Sequence, residues 1–157
     1  MKLTDFVCFE ACIEQLQTDE RDETIGQLVR ALDKAGKLPA GQAEDILKAL
    51  IDRENEASTG MGKGVAVPHV KHPSVKKVVG AVGLSDRGID FSSLDKQPVF
   101  SVVLLVSPAN NPDAHLQAME SIFKHLQHEK FRRFLRQCRN VDQIKDLLVE
   151  ADDNPSW

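Results

Sequence analysis

Residues 58–72, with the sequence S-T-G-M-G-K-G-V-A-V-P-H-V-K-H, contain the side chains of this protein best suited to chemistry. Glycines, hydroxyls and a lysine precede a short apolar run at residues 65–67, which Pro68 ends directly before His69. The pattern predicts a flexible loop, one short buried strand, and a histidine held at the end of that strand. Because loops held by a rigid scaffold concentrate binding and catalytic groups, we expect His69 to be the reactive residue.

A histidine in this setting is suited to carry a phosphoryl group covalently. One imidazole nitrogen can attack phosphorus while the other is fixed by donating its N–H to a carbonyl. Phosphoryl transfer depends on positioning and electrostatic stabilisation, so the histidine needs positive charge and hydrogen-bond donors around it. No cofactor is expected. We expect the following residues to supply the charge, the hydroxyls and the loop amides: Arg53, Ser58, Thr59, Gly62 and Gly64.

Two other chemistries compete with this one. His69, His72 and His115 would suffice for a catalytic zinc site, which uses three protein ligands and a water. No carboxylate adjoins the two loop histidines and no H-E-x-x-H pattern occurs, so we expect no metal site. Ser58 or Thr59 could act as a nucleophile beside a histidine base, but the chain has no G-x-S-x-G elbow and no evident orienting carboxylate.

Composition restricts the classes of protein that remain. The chain has 157 residues, 41% of them hydrophobic and 28% charged, which fits one domain with a core at about residues 5–150. A net charge of −4 disfavours nucleic acid as the main partner. The longest apolar run, residues 102–106, is too short for a membrane span, and the start of the chain does not resemble a signal peptide. Cys8, Cys12 and Cys138 form no C-x-x-C pair, which suits reduced thiols in the cytoplasm.

Hydrophobic periodicity predicts strands in the middle of the chain and helices on either side. Alternating residues favour a half-buried strand near residues 11–16, while a helix in the first part of residues 3–17 remains an open alternative. Apolar residues at helical spacing then predict two helices, which end around Gly36 and around residues 53–54. Strands are predicted at residues 65–67 and 78–84, with a turn at residues 86–88.

Residues 99–106 give the strongest strand pattern, because they are apolar on both faces, as in the centre of a covered sheet. Helical spacing returns from Asp113 onward. A solvated helix end without function is predicted for His125 and His128. Residues after Glu150 are predicted to be a frayed tail. The order of elements predicts an α/β fold with a mixed central β-sheet flanked by helices on both sides.

Residues 53–69, R-E-N-E-A-S-T-G-M-G-K-G-V-A-V-P-H, resemble a known signature. It is that of EIIA domains of the fructose/mannitol class (type 2) in the phosphoenolpyruvate:sugar phosphotransferase system, and nitrogen-regulatory EIIA proteins carry a very similar stretch. The resemblance covers nearly the whole chain, so we interpret residues 1–157 as a single EIIA type-2 domain. Val70 departs from the pattern, in which glycine or alanine commonly follows the histidine; this change affects the expected partner surface and leaves the acceptor intact.

The resemblance implies a phosphocarrier function. His69 would accept a phosphoryl group from phospho-HPr, and in sugar-transporting members an EIIB domain receives it. His115 matches a second active-site histidine of the family and Arg53 matches a neighbouring arginine. Because one domain stands alone, we favour a nitrogen-regulatory role over dedicated sugar transport. The alternative is an interaction module that keeps the EIIA fold and binds a kinase or transporter without turnover. The resemblance gives no role for His72.

Overall fold

The computed structural model describes residues 1–154, which form helices packed around one β-sheet. No helix within these residues has both the length and the apolar character needed to cross a membrane. In chain order the elements are α1 (Leu3–Phe6), a 3₁₀ turn (Phe9–Ala11), α2 (Arg21–Lys34), α3 (Ala43–Glu56), β1 (Gly60–Gly62), β2 (Val65–Ala66), β3 (His69–His72), β4 (Val79–Ile89), β5 (Val99–Pro108), α4 (Pro112–Leu126), α5 (Glu129–Gln137) and α6 (Val141–Asp153).

Strand β5 is the centre of the sheet, as its apolar sequence predicts. It pairs antiparallel with β4 along one side and parallel with β2 and β3 along the other, and β1 pairs antiparallel with β2. The register sets Val65 opposite Ser101 and His69 opposite Leu105. The prediction of a mixed sheet is therefore confirmed.

The two faces of β5 bury different helices, because successive side chains of a strand point to opposite faces. Val102, Leu104 and Val106 belong to a core that includes the buried residues of α2 and α3. Val103 and Leu105 belong to a second core, formed with α1, α4, α5 and α6. Helices thus cover both faces of the sheet, as expected.

The predicted strand at residues 11–16 is wrong. The chain there leaves the 3₁₀ turn and makes only one bridge, from Ile13 to Gly83 of β4. The turn already uses the N–H of Cys12, which donates to the carbonyl of Phe9 at 3.1 Å. Ile13 exchanges backbone hydrogen bonds with Val82 and Leu84, and Leu16 donates to Leu84, but the segment does not form a continuous strand of the sheet.

Two boundaries also differ from the prediction. The expected turn at residues 86–88 is a bulge inside β4, where Gly88 has φ +90° and its N–H donates to the Ser85 hydroxyl at 3.0 Å. A bulge adds residues to one strand without ending the ladder, so the strand continues to Ile89. Helix α6 reaches Asp153, so the frayed tail does not begin after Glu150; residues 155–157 lie outside the described part of the chain.

Candidate active site

His69 lies where the strand β2 is interrupted and restarts as β3. Val67 and Pro68 separate the two strands, and the Pro68 carbonyl accepts the N–H of Leu105 at 2.9 Å, so this stretch stays attached to β5. The prediction put His69 after the end of a strand, whereas it is the first residue of the next one. Its position is therefore fixed by backbone pairing with the central strand.

The hydrogen bond of the His69 ring selects its tautomer. Nδ1 lies 2.7 Å from the carbonyl oxygen of Val67. Because a carbonyl only accepts, Nδ1 carries the proton and donates it, and the lone pair of a neutral ring is on Nε2. Nε2 makes no hydrogen bond to any residue from 1 to 154. This is the arrangement of a nitrogen nucleophile with its second nitrogen fixed.

The surroundings of His69 favour its neutral, nucleophilic form. Burial lowers the pKa of the ring below its ordinary value, and the hydrogen bond to Val67 opposes that effect. The positive charges of Arg53 and Lys71 lower the pKa further, while the negative charge of Glu54 raises it. Since burial is the largest of these effects, the ring is neutral at pH 7 and its Nε2 is free to attack.

His115 lies beside His69, as the family resemblance implies. It is in the first turn of α4, which begins after Asn111, whose side chain accepts the N–H of Ala114 at 3.2 Å. The two imidazole centroids are 5.6 Å apart. Nδ1 of His115 lies 2.7 Å from the hydroxyl of the buried Ser107. The C-terminal half of β5 and the start of α4 together hold this second ring.

Burial lowers the pKa of His115 to about 4, and the charges of His69 and Lys71 add to the effect. Both rings are thus neutral near pH 7, and no charge repulsion separates them. When the Ser107 hydroxyl donates to Nδ1, the proton of His115 is on Nε2, where it can serve as a hydrogen-bond donor to a group held between the rings.

Arg53 supplies the positive charge near His69. It lies in the last turn of α3, and its Nη1 donates to the carbonyl of Ala57 at 2.8 Å. This bond closes the end of the helix and uses one of the five guanidinium donors, so the others remain available to an anion. The charge of Arg53 lowers the pKa of His69, which shows that the guanidinium group lies near the ring.

Glu54 is a buried carboxylate that sequence reasoning missed. Only 2% of it is exposed, and it accepts both the N–H of Thr59, at 3.0 Å, and the Thr59 hydroxyl. A glutamate on the last turn of a helix, followed within five residues by two hydroxyls, is the only signal that pointed to it. Its function here is to fix the loop that leads from α3 into β1.

The hydroxyls of Ser58 and Thr59 are used inside the protein. Ser58 donates to the carbonyl of Phe91 and accepts the N–H of Gly60 at 3.0 Å, and Thr59 donates to Glu54. These bonds orient the backbone of the loop, and the carbonyl of Thr59 accepts the N–H of Val67 at 3.2 Å. Other groups of the protein therefore already engage both hydroxyls.

Gly62 and Gly64 do not lie beside His69. They form the β1–β2 hairpin with φ of +86° and +80°, a conformation that favours glycine. The carbonyl of Gly64 accepts the N–H of Phe100 at 2.8 Å, whereas His69 pairs with Leu105. Five residues of strand separate those positions, a distance of about 16 Å. The glycines shape a hairpin at the other end of the strand.

His72 points to the opposite side of β3 from His69, where α3 packs. It is buried, with Nε2 2.5 Å from Asp45 on the first turn of α3 and Nδ1 2.7 Å from the Ser74 hydroxyl. These contacts join the start of α3 to the end of β3. Among residues 1–154, no group of three histidine, cysteine or acidic side chains is arranged to hold a metal ion.

The expectation of a solvated His125 is wrong. This side chain is 5% exposed and its ring lies 5.5 Å from that of Phe131. Helix α5 folds back onto the end of α4 and covers it, which the local sequence does not reveal. Burial lowers the pKa of His125.

Comparison with known proteins gives a consistent result. The family described as "Phosphoenolpyruvate-dependent sugar phosphotransferase system, EIIA 2" matches residues 7–151. A nitrogen regulatory protein of Bradyrhizobium diazoefficiens is 33% identical over 95% of each chain. A fructose-specific EIIABC component of Bacillus subtilis is 34% identical over 97% of this chain, which spans about a quarter (24%) of that relative.

One solved structure with the same fold is a complex of the mannitol enzyme IIA of Escherichia coli with phosphorylated enzyme IIB. Its matching chain is 22% identical and has a TM-score of 0.76, over 90% of this chain and 95% of that one. The fold, the family match and the curated relatives agree: the chain belongs to the EIIA type-2 family of the phosphoenolpyruvate-dependent sugar phosphotransferase system.

Proposed function

We propose that the chain is a histidine phosphocarrier in which Nε2 of His69 accepts a phosphoryl group from an HPr-like phosphoprotein. The observation that supports this most directly is the hydrogen bond between Nδ1 of His69 and the carbonyl of Val67, which leaves the Nε2 lone pair of a neutral ring without a partner among the described residues. Family membership supports the reaction class, since EIIA proteins are components of a phosphotransferase system.

In the proposed step, the Nε2 lone pair attacks phosphorus in line with the bond to the donor nitrogen. As the new N–P bond forms, the old one breaks and its electron pair returns to the donor imidazole. The proton stays on Nδ1 throughout, hydrogen-bonded to the Val67 carbonyl. No proton has to leave His69, so the transfer needs no general base.

Arg53 and His115 would stabilise the phosphoryl oxygens. The free guanidinium donors of Arg53 supply positive charge, and Nε2 of His115 supplies one neutral N–H donor 5.6 Å away, measured between the ring centroids. We assign Ser58 and Thr59 an indirect role: they hold the loop that positions the backbone before His69. We assign the loop amides no phosphate contact, because those of Thr59 and Gly60 donate to Glu54 and Ser58, and Gly62 and Gly64 shape the hairpin.

The acceptor would be an EIIB domain or a regulatory target. An EIIB acceptor is supported by the complex of the mannitol enzyme IIA with its phosphorylated IIB. A nitrogen-regulatory role is supported by the relative that aligns over 95% of both chains. Phosphorylation adds a charge of about −1.5 to −2, which is enough to select between partners. We place the protein in the cytoplasm, where three buried free thiols such as these stay reduced.

Incubation with phosphoenolpyruvate, enzyme I and HPr, followed by intact-mass analysis, tests the proposal. We expect a gain of one phosphate that survives neutral pH and is lost in acid. His69→Ala should not gain it, because the acceptor nitrogen is missing. The matched control is His128→Ala, which removes a partly exposed histidine outside the site and should gain phosphate as the wild type does.

Labelling of His69→Ala at the wild-type level would refute the assignment of the acceptor. Absence of labelling in the folded wild type, with a donor that phosphorylates another EIIA protein in the same assay, would favour the interaction module. In that case the search would turn to partners that bind the unmodified site.

A further inference from the structure

A polar cleft of about 660 Å³ lies between α5 and the tip of the β1–β2 hairpin. Two acidic side chains line it, Asp86 and Glu129, so it has a formal surplus of three positive charges in a chain whose net charge is −4. The cationic side chains that line the cleft are Lys63, Arg132, Arg133, Arg136 and Arg139. We refer to it as the arginine cleft.

The arginine cleft is separate from the phosphoryl site. Lys63 is at the tip of the hairpin, and Phe100, against which Arg136 packs, is the second residue of β5. His69 pairs with Leu105, about 16 Å further along the same strand. No group proposed to act in phosphoryl transfer lines the arginine cleft.

The sequence of α5, E-K-F-R-R-F-L-R-Q, explains why arginines collect here. Phe131 and Leu135 are buried in the core, four residues apart on one face of the helix. The arginines occupy the remaining faces: Arg132 is half-buried, and Arg133 and Arg136 are exposed. Burial of a short apolar stripe therefore directs three guanidinium groups outward from two turns of helix.

Two of these guanidinium groups are held in place before any ligand binds. The central carbon of the Arg136 group lies 3.5 Å from the centroid of the Phe100 ring. Stacking of this kind holds the planar group over the ring and leaves its N–H edge free. Arg132 donates through Nη1 to the carbonyl of Leu126 at 2.8 Å, which uses one donor. Such groups lose little freedom when they bind an anion.

The positive charge of the cleft is largely uncompensated. Arg139 pairs with Asp86 at 3.4 Å, and both side chains are about two-thirds exposed, so this pair contributes little. Arg133 and Arg136 form no ion pair within residues 1–154. Several like charges held in one concave site repel one another unless an anion neutralises them.

We propose that the arginine cleft is a binding site for a small anion that carries two or more linked phosphate groups. Guanidinium groups bind phosphate oxygens through paired N–H donors, and three of them along one helix can contact successive phosphates. The volume is that of a small-molecule site. Because the cleft is lined almost entirely by charged side chains, it would bind a ligand mainly through electrostatic attraction.

Isothermal titration of the whole chain with tripolyphosphate, pyrophosphate and inorganic phosphate tests this site. We expect tripolyphosphate to bind most tightly and phosphate least, with affinity falling as salt is added. Arg133→Gln and Arg136→Gln should each weaken tripolyphosphate at least about tenfold. Arg136→Lys should lose part of the affinity, because it keeps the charge and loses the planar fork.

Two controls separate this site from general electrostatics and from the phosphocarrier function. Lys48→Gln removes an exposed cation of α3, away from the cleft, and should change affinity less than about twofold. His69→Ala should bind tripolyphosphate as the wild type does, so the two proposals can fail independently. Circular dichroism of each variant verifies the fold.

Three results would overturn the proposal. One is the absence of saturable tripolyphosphate binding up to about 1 mM. Another is an equal loss of affinity in Lys48→Gln and in the cleft variants, which would mean that overall charge is responsible. The third is tighter binding of a single-stranded oligonucleotide than of tripolyphosphate, which would make the cleft a nucleic-acid surface.

Discussion

The pKa of His115 predicts how much stability the site loses in acid. In the folded chain this pKa is lowered to about 4, against 6.5 for an ordinary histidine. Between these pH values the unfolded chain binds a proton on this ring and the folded chain does not. Protonation therefore favours unfolding: the contribution of His115 is fully present above pH 6.5 and is lost as the pH falls to 4.

The size of the effect follows from the same two values. The difference between 6.5 and 4 corresponds to roughly 3 kcal/mol of unfolding free energy for a ring without solvent contact. His115 is partly exposed, so screening by solvent reduces the expected effect to about 1 kcal/mol. In His115→Gln this titration is absent, and the variant should lose correspondingly less stability on acidification.

Urea unfolding of wild type, His115→Gln and His128→Gln at pH 7 and at about pH 4.5 measures the difference. We expect the wild type and His128→Gln, the matched control, to lose about 1 kcal/mol more than His115→Gln. An equal loss in all three proteins, or a greater loss in His115→Gln, would refute the reasoning that burial beside His69 keeps this ring neutral.

Further predictions concern the groups around His69 and the packing of the sheet. Glu54→Gln should lower the unfolding free energy by about 2 kcal/mol in urea, because a neutral amide replaces a buried carboxylate that accepts two hydrogen bonds; Glu56→Gln, an exposed control on the same helix, should not. Arg53→Gln should slow phosphorylation of His69 roughly tenfold to a hundredfold. It should also move the acid limb of the pH–rate profile to higher pH, because the charge that lowers the pKa of His69 is gone; an unchanged rate and profile would remove Arg53 from the site. Gly80→Ala should cost about 2 kcal/mol or more, because a Cβ atom would lie 2.8 Å from a backbone carbonyl of β5.

The parts of the fold that the sequence predicts are those that depend on local pattern. Residues 99–106 are apolar on both faces, and only a central strand with helices on both sides buries such a run. A helix end can be predicted from the sequence where the left-handed backbone conformation favours glycine, as at Gly36, whose φ is +74°. The sequence singles out His69 because it follows a glycine-rich loop and a short apolar run that Pro68 ends.

The parts that sequence reasoning misses depend on long-range partners. The alternating residues 11–16 fit the pattern of a strand, but the 3₁₀ turn at Phe9–Ala11 engages the N–H of Cys12 and interrupts the extended backbone. Gly62 and Gly64 are near His69 in sequence, yet the extended β2 carries them to the other end of the sheet. Nothing in the sequence indicates that the Ser58 hydroxyl would donate to Phe91, 33 residues away.

The same limit applies to Glu54. A glutamate at a helix end is usually exposed, and only the return of the chain through Thr59 buries it. The family resemblance therefore points to His69 as the proposed acceptor and to Arg53 and His115 as its neighbours, whereas the groups that position them become visible only in three dimensions. The arginine cleft belongs to this second class, because Lys63 and the arginines of α5 are far apart in the chain.

The most direct test of the account is to identify the nitrogen that carries the phosphoryl group. Protein with ¹⁵N-labelled imidazole rings would be phosphorylated by its donor and examined by long-range ¹H–¹⁵N correlation. We predict a phosphoryl group on Nε2 of His69 with the proton retained on Nδ1, which donates it to the carbonyl of Val67. A phosphoryl group on Nδ1 of His69, or on His115, would contradict this prediction.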